Sequence, residues 1–186
     1  MFKNNLEIVL TEIQHVLENI DSSQVENFVK SVLSNKVNKK IVVAGAGRMG
    51  LAAKAFSMRL GHLGFNSWCI GDSTVPSLSN KDLLIVASGS GNTQTIYDIA
   101  AQAFKNETPI LLITNDAESR IGQISSNILV LPNSCNKESM NRKSQQPMTT
   151  LNEQSLALLL DILVLEIMEA TGETHETMWP RHSDLE

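Results

Sequence analysis

Two glycine-rich segments carry the residue types that could hold a charged ligand. Gly45-Ala46-Gly47-Arg48-Met49-Gly50 follows the apolar run Ile41-Val42-Val43-Ala44. Ser88-Gly89-Ser90-Gly91-Asn92-Thr93 follows Leu83-Leu84-Ile85-Val86-Ala87. A helical pattern comes after each. Glycines let backbone N–H groups approach an anion, and a helix N-terminus adds partial positive charge. The first segment fits the dinucleotide fingerprint, and Asp72 lies about 20 residues on, where an acid could hold a ribose hydroxyl. A nicotinamide oxidoreductase is therefore one reading. The second segment adds hydroxyls at Ser88, Ser90 and Thr93. Hydroxyl donors at a helix start suit a compact phosphate monoester. The alternative is a plain helix cap, for which one hydroxyl suffices. Neither segment has a Walker lysine, which disfavours a nucleoside triphosphate.

Proton-transfer candidates lie elsewhere. Glu153 opens the last helical pattern, and a carboxylate there can act as a general base. Thr150-Leu151-Asn152-Glu153 also fits a capping box, in which the glutamate only satisfies the helix start. Histidines stand at 15, 62, 175 and 182. His15 belongs to the first helical pattern and His175 to a polar turn; His62 follows Arg59-Leu60-Gly61, and His182 sits in the tail. Arg48 could stabilise charge on a ligand or form a surface ion pair. Arg142 and Lys143 could draw an anion in or simply sit in a solvated loop.

The elements that would position these residues follow from periodicity. Leu6, Val9, Leu10, Ile13, Val16 and Leu17 predict one helix. Val25, Phe28, Val29 and Val32, after a cap at Asp21, predict a second. Strands are expected at 41–44, 65–70, 83–87, 109–114 and 128–131, with helices from about Leu51 to His62, Thr95 to Phe104 and Leu151 to Ala170. Alternating strands and helices predict an α/β fold, a three-layer α/β/α sandwich around a five-stranded parallel sheet. The expected organisation is one domain over 1–186, with an N-terminal helical segment at 1–37, a polar loop at 132–150, a C-terminal helix at 151–171 and a tail at 172–186. The run Leu156 to Met168 holds Asp161 and Glu166, so it reads as a core or subunit-interface helix and not a membrane span. Its apolar residues occupy more than one face, which predicts self-association.

Composition narrows the partners. Lys and Arg total 15 against 20 Asp and Glu, a net charge of −5 that repels phosphate backbones and disfavours nucleic acid. Cys69 and Cys135 form no C-x-x-C pair, and the histidines are scattered, so no metal site is expected. The start shows no signal-peptide pattern, and the expected location is cytoplasmic.

The segments V-A-G-A-G-R-M-G, G-D-S-T-V-P and L-L-I-V-A-S-G-S-G-N-T together resemble a sugar isomerase (SIS) domain. Q-P-M-T-T-L-N-E-Q-S-L at 146–156 and the tail M-W-P-R-H-S-D-L-E at 178–186 are similar to the 6-phospho-3-hexuloisomerases. The resemblance implies an SIS-type, flavodoxin-like fold and interconversion of 3-hexulose 6-phosphate and fructose 6-phosphate, in the ribulose monophosphate route of formaldehyde fixation. It implies no cofactor and a homotetramer. Glu153 would be the base. His182 or His62 would assist, with the tail near a neighbouring active site. Gly47, Arg48, Ser88, Gly89, Ser90, Gly91, Asn92 and Thr93 would bind the phosphosugar. The chain departs from the family at Met49 (usually serine), Asn92 (commonly glutamate), Pro180 and Ser183-Asp184. A non-catalytic phosphosugar-binding protein of the same fold, or an isomerase of another phosphosugar, is the alternative.

Overall fold

The computed structural model describes residues 1–132 and 144–185. Cys135, Arg142 and Lys143 lie outside the described residues, as do positions 133–143 of the polar loop. The five short apolar runs form five parallel strands: β1 (Lys40–Gly45), β2 (Asn66–Cys69), β3 (Leu83–Ala87), β4 (Ile110–Thr114) and β5 (Asn127–Val130). Their order in the sheet is β2-β1-β3-β4-β5. Gly45 stands opposite Ala87, so the two glycine-rich segments leave the sheet side by side.

Helices cover both faces. Ile41 and Val43 of β1, Leu83 and Ile85 of β3, and Leu111 and Ile113 of β4 share a core with four helices: α1 (Phe2–Glu18), α2 (Ser22–Leu33), α3 (Gly47–His62) and α5 (Thr150–Thr171). The alternate residues Val42, Ala44, Leu84, Val86, Ile110 and Leu112 face α4 (Gln94–Lys105), with Val75 and Leu78 of the β2–β3 connection beside it. Burial on both faces explains why the strands read as continuous apolar runs and do not alternate. The expected three-layer sandwich with five parallel strands is thus present.

α5 buries Leu156, Leu159, Leu160, Leu163 and Ile167 but leaves Leu158, Ile162 and Leu165 exposed. Among the described residues no helix is long and apolar enough to cross a membrane. Where a polar turn was expected around His175, the tail forms a short helix, α6 (His175–Met178), and a further turn at Trp179–Arg181. The capping pair Thr174 and Thr177 starts α6. Arg181 Nε donates to the carbonyl of His62 at 2.5 Å, and its guanidinium also meets Glu173.

Asp82 secures the approach to β3. It is 4% exposed and accepts from Lys40 N at 2.9 Å, Ser79 N at 2.8 Å and Ser79 Oγ at 2.7 Å. Burial pushes its carboxyl up, but these hydrogen bonds and the Lys40 ammonium outweigh burial and hold it below the ordinary value. A carboxylate lowered in the folded state stabilises above its unfolded pKa, and that stability is lost as pH falls through the folded value. Asp82→Asn is expected to lower unfolding free energy by about 1–3 kcal/mol near neutral pH. The deficit should shrink below about pH 4, where the unfolded carboxyl protonates. Urea titrations of both chains over an acid-to-neutral pH series measure it; a deficit independent of pH contradicts the assignment.

Candidate active site

The first glycine segment turns directly from strand into helix. α3 starts at Gly47, not near Leu51, so Arg48 and Met49 sit in its first turn. Close packing makes this possible. A Cβ on Gly50 would lie 2.6 Å from the carbonyl oxygen of Gly45, and one on Gly45 would lie 2.9 Å from Gly50 Cα. Two glycines therefore let the helix begin hard against the strand end. The second segment bends from β3 into α4. Thr93 is the N-cap of α4, but its side chain makes no capping bond. The first amide to bond back is Ile96 N, to Thr93 O at 3.0 Å. Gln94 and Thr95 precede it, so their N–H groups are the open donors of a helix start.

A cavity of about 240 Å³ opens where β1 and β3 end, lined by Gly47, Arg48, Met49, Gly89, Ser90 and Thr93, with Thr149, Asn152 and Glu153 of the α5 start. In a sheet of this order the connections that leave β1 and β3 go to opposite faces at the topological switch point, which is where open α/β sheets bind ligands. Arg48 Nε lies 3.0 Å from Glu153 Oε2, and Thr149 Oγ1 donates to Glu153 Oε1 at 2.7 Å. The capping box does not form: the N-cap is Thr149, with no side-chain cap bond. Glu153 is free of that duty, and the ion pair considered for Arg48 is a pair with Glu153 itself. Arg48 is 58% exposed against 16% for Glu153, so the pair adds little stability but orients the carboxylate.

The other candidates fall in different places. Ser88 is 4% exposed, and its hydroxyl is buried with no hydrogen-bond partner among the described residues, behind the cavity lining. Gly91 packs against Ser119. Asn92 Nδ2 donates to Ser90 O at 2.9 Å, and its Oδ1 accepts from Arg120 N at 3.1 Å, so it ties the loop together. Asp72, the acid considered for a ribose, is paired with Lys54 at 2.7 Å.

His62 and His182 stand at the other end of α3, about 21 Å from Arg48 at 1.5 Å per residue. Their rings stack at 5.2 Å, and His182 stacks on Trp179 at 5.3 Å. Arg59 lies 3.1 Å from His62 Nδ1. A guanidinium only donates, so Nδ1 is the acceptor in this contact. These rings line a second cavity of about 320 Å³ with Arg59, Met168 and Met178. Within one chain, then, the histidines and Glu153 are not brought together. Among the described residues no group of three His, Cys, Asp or Glu could hold a metal ion.

Sequence reading missed Thr149 and Asn152. Asn152 adjoins Glu153 and Thr149 lies four residues before it, and only the fold shows that both line the cavity. It also missed Glu12 of α1, which accepts from Ser144 Oγ at 2.7 Å, Gln145 N at 2.9 Å and Gln146 Nε2 at 3.0 Å. Burial pushes Glu12 up, but these three bonds hold it below its usual range. Glu12 thereby fixes the segment that leads into the α5 start.

A family model described as the SIS domain matches residues 36–160, and the chain belongs to that family. A Bacillus subtilis protein named 3-hexulose-6-phosphate isomerase is 37% identical over 179 residues, which is 96% of this chain and 95% of that one. A protein of the same name from Mycobacterium gastri is 31% identical, covering 98% of this chain and 90% of its own. The crystal structure of a hypothetical protein from Methanococcus jannaschii, for which a 3-hexulose-6-phosphate isomerase function was inferred, matches with a TM-score of 0.83. It is 27% identical and covers 98% of this chain and 99% of that chain. The resemblance carried by 146–156 and 178–186 is borne out by these relatives.

Gly50→Ala is expected to lower stability by about 1–3 kcal/mol, because the added methyl meets backbone that cannot yield without moving α3 off β1. Thermal unfolding measures the loss, and an unchanged midpoint would contradict the close approach.

Proposed function

We propose that this protein is a sugar-phosphate isomerase that interconverts 3-hexulose 6-phosphate and fructose 6-phosphate through an enediol(ate). One observation carries the reading: the hydroxyl-bearing glycine loop and the arginine-braced Glu153 line a single cavity. The relatives' names support the choice of substrate.

Moving the carbonyl from C3 to C2 removes a proton from C2 and delivers one to C3. Ser90, Thr93 and the first amides of α4 hold the phosphate; Gly47 and Gly89 give it room. Ser88, Gly91 and Asn92 act through the shape of the loop. Glu153 takes the C2 proton, and the pair of electrons left behind forms the enediolate. Arg48 stabilises the charge that grows on oxygen. Glu153 returns the proton to C3, while a hydroxyl proton passes from O2 to O3. Atoms and electrons balance within the substrate, so the scheme needs no external oxidant or reductant.

The hydroxyl proton falls to His182 or His62 of a second chain in a homotetramer. The distance along α3 supports this, as do the exposed Leu158, Ile162, Leu165 and Trp179, which give copies of the chain apolar surface on which to meet. The reading carries with it a cytoplasmic enzyme of the ribulose monophosphate route.

Glu153→Gln should lower turnover of 3-hexulose 6-phosphate by about 10²–10⁴-fold, the usual worth of a general base. Its affinity for fructose 6-phosphate should stay within a few-fold of the parent. A coupled assay, with arabinose 5-phosphate as comparator substrate, reads the first and titration calorimetry the second. Undiminished turnover removes Glu153 from the chemistry. Mixing Glu153→Gln chains with His182→Ala,His62→Ala chains should restore activity that neither has alone, since some sites then join an intact carboxylate to an intact histidine. No recovery in demonstrated mixed oligomers contradicts the shared site.

A further inference from the structure

Asn152 immediately precedes Glu153 and lines the same cavity. It is 2% exposed, and its Oδ1 is buried with no hydrogen-bond partner among the described residues. Its Nδ2 lies against the second glycine loop: a Cβ on Gly89 would come within 2.2 Å of it, and within 3.2 Å of Asn115 Oδ1. Both polar atoms of the Asn115 side chain are likewise buried and unpartnered. Asn152 Nδ2 and the unpartnered Asn115 Oδ1 therefore lie at Gly89, in the loop that would hold the phosphate. Buried amides in folded proteins are nearly always bonded. Asn152 lines the cavity and its Nδ2 is not among the enclosed atoms, so the amide can meet a ligand oxygen there.

We propose that Asn152 is a substrate-binding residue that hydrogen-bonds a hydroxyl of the sugar chain. This rests on the isomerase reading of the same cavity. Asn152 touches the Gly89 loop on one side and adjoins Glu153 on the other. The hydroxyl it meets therefore lies between the phosphate at C6 and the reacting carbons C2 and C3, that is, at C4 or C5. An asparagine amide offers both a donor and an acceptor, as a sugar hydroxyl does, and the pair matches in either amide orientation. The contact selects a polyhydroxylated phosphate ester over phosphate alone.

The test compares two probes, fructose 6-phosphate and inorganic phosphate, by titration calorimetry on the full chain. Asn152→Leu should weaken fructose 6-phosphate by roughly tenfold or more, as in sites built to bond a hydroxyl. Phosphate affinity should change by less than about twofold, and the thermal midpoint of the free protein should hold or rise, since an unbonded buried amide is gone. Asn152→Ser, which is smaller than asparagine, gives the same comparison should leucine fail to fit. Unchanged affinities for both probes overturn the proposal. So does equal weakening of both, which would mean that Asn152 acts only through the loop. Turnover by the unaltered chain reports separately: selective binding through Asn152 without turnover would overturn the isomerase reading and leave this contact standing.

Discussion

Three helices, α3, α4 and α5, begin at the carboxyl ends of β1 and β3, and their first turns wall the cavity that holds Glu153. The sheet order dictates the first two. β1 feeds α3 to one face and β3 feeds α4 to the other, so a crevice opens between them. α5 joins them because it shares a core with α3 on the same face. Each helix start carries partial positive charge from its open amides. A chain with a net charge of −5 can thus offer a local site for an anion. Bulk charge and site charge differ because helix dipoles act within a turn of their ends, while side-chain charges are spread over the surface.

The site is costly to the fold. Ser88, Asn115 and Asn152 hold buried polar atoms without partners among the described residues. An unbonded buried polar group costs about 1–3 kcal/mol, against a total stability for a domain of about 5–15 kcal/mol. The apolar layers on both sides of the sheet offset this: β3 and β4 are buried along their whole length. The sheet interior is conventional so that its carboxyl edge can be left incomplete. Asp82, at the opposite end of β3, is buried with its partners Lys40 and Ser79 in place.

Much of this architecture was legible in the chain. Burial on both faces leaves the middle of β1, β3 and β4 apolar at every position, and such runs are hard to mistake. The boundary at α3 was misplaced because glycines ordinarily discourage helix, whereas Gly47 and Gly50 here begin one; only the contact between Gly45 and Gly50, across the turn, explains it. Glu153 stood out by its place in a motif, yet its partner Arg48 lies more than a hundred residues away, and no local pattern links them. α6 was missed because its four residues bury nothing, so it has no apolar period to read. The position of His62 at the far end of α3 follows from helix length, which the pattern ending there already contained, whereas His182 is brought to it by the tail, through Arg181 on the His62 carbonyl and the stacked rings, and no local pattern links the two.

The three bonds that Glu12 makes to residues 144–146 reach past the borders of the family match at 36–160. An excised 36–160 segment would keep every glycine and hydroxyl of the cavity, along with Glu153 itself. It would lose the strap from the first helix and the last turns of α5, so the carboxylate would hang from an untethered lead. The smallest piece of this chain that carries its chemistry is therefore larger than the piece that carries its family signature.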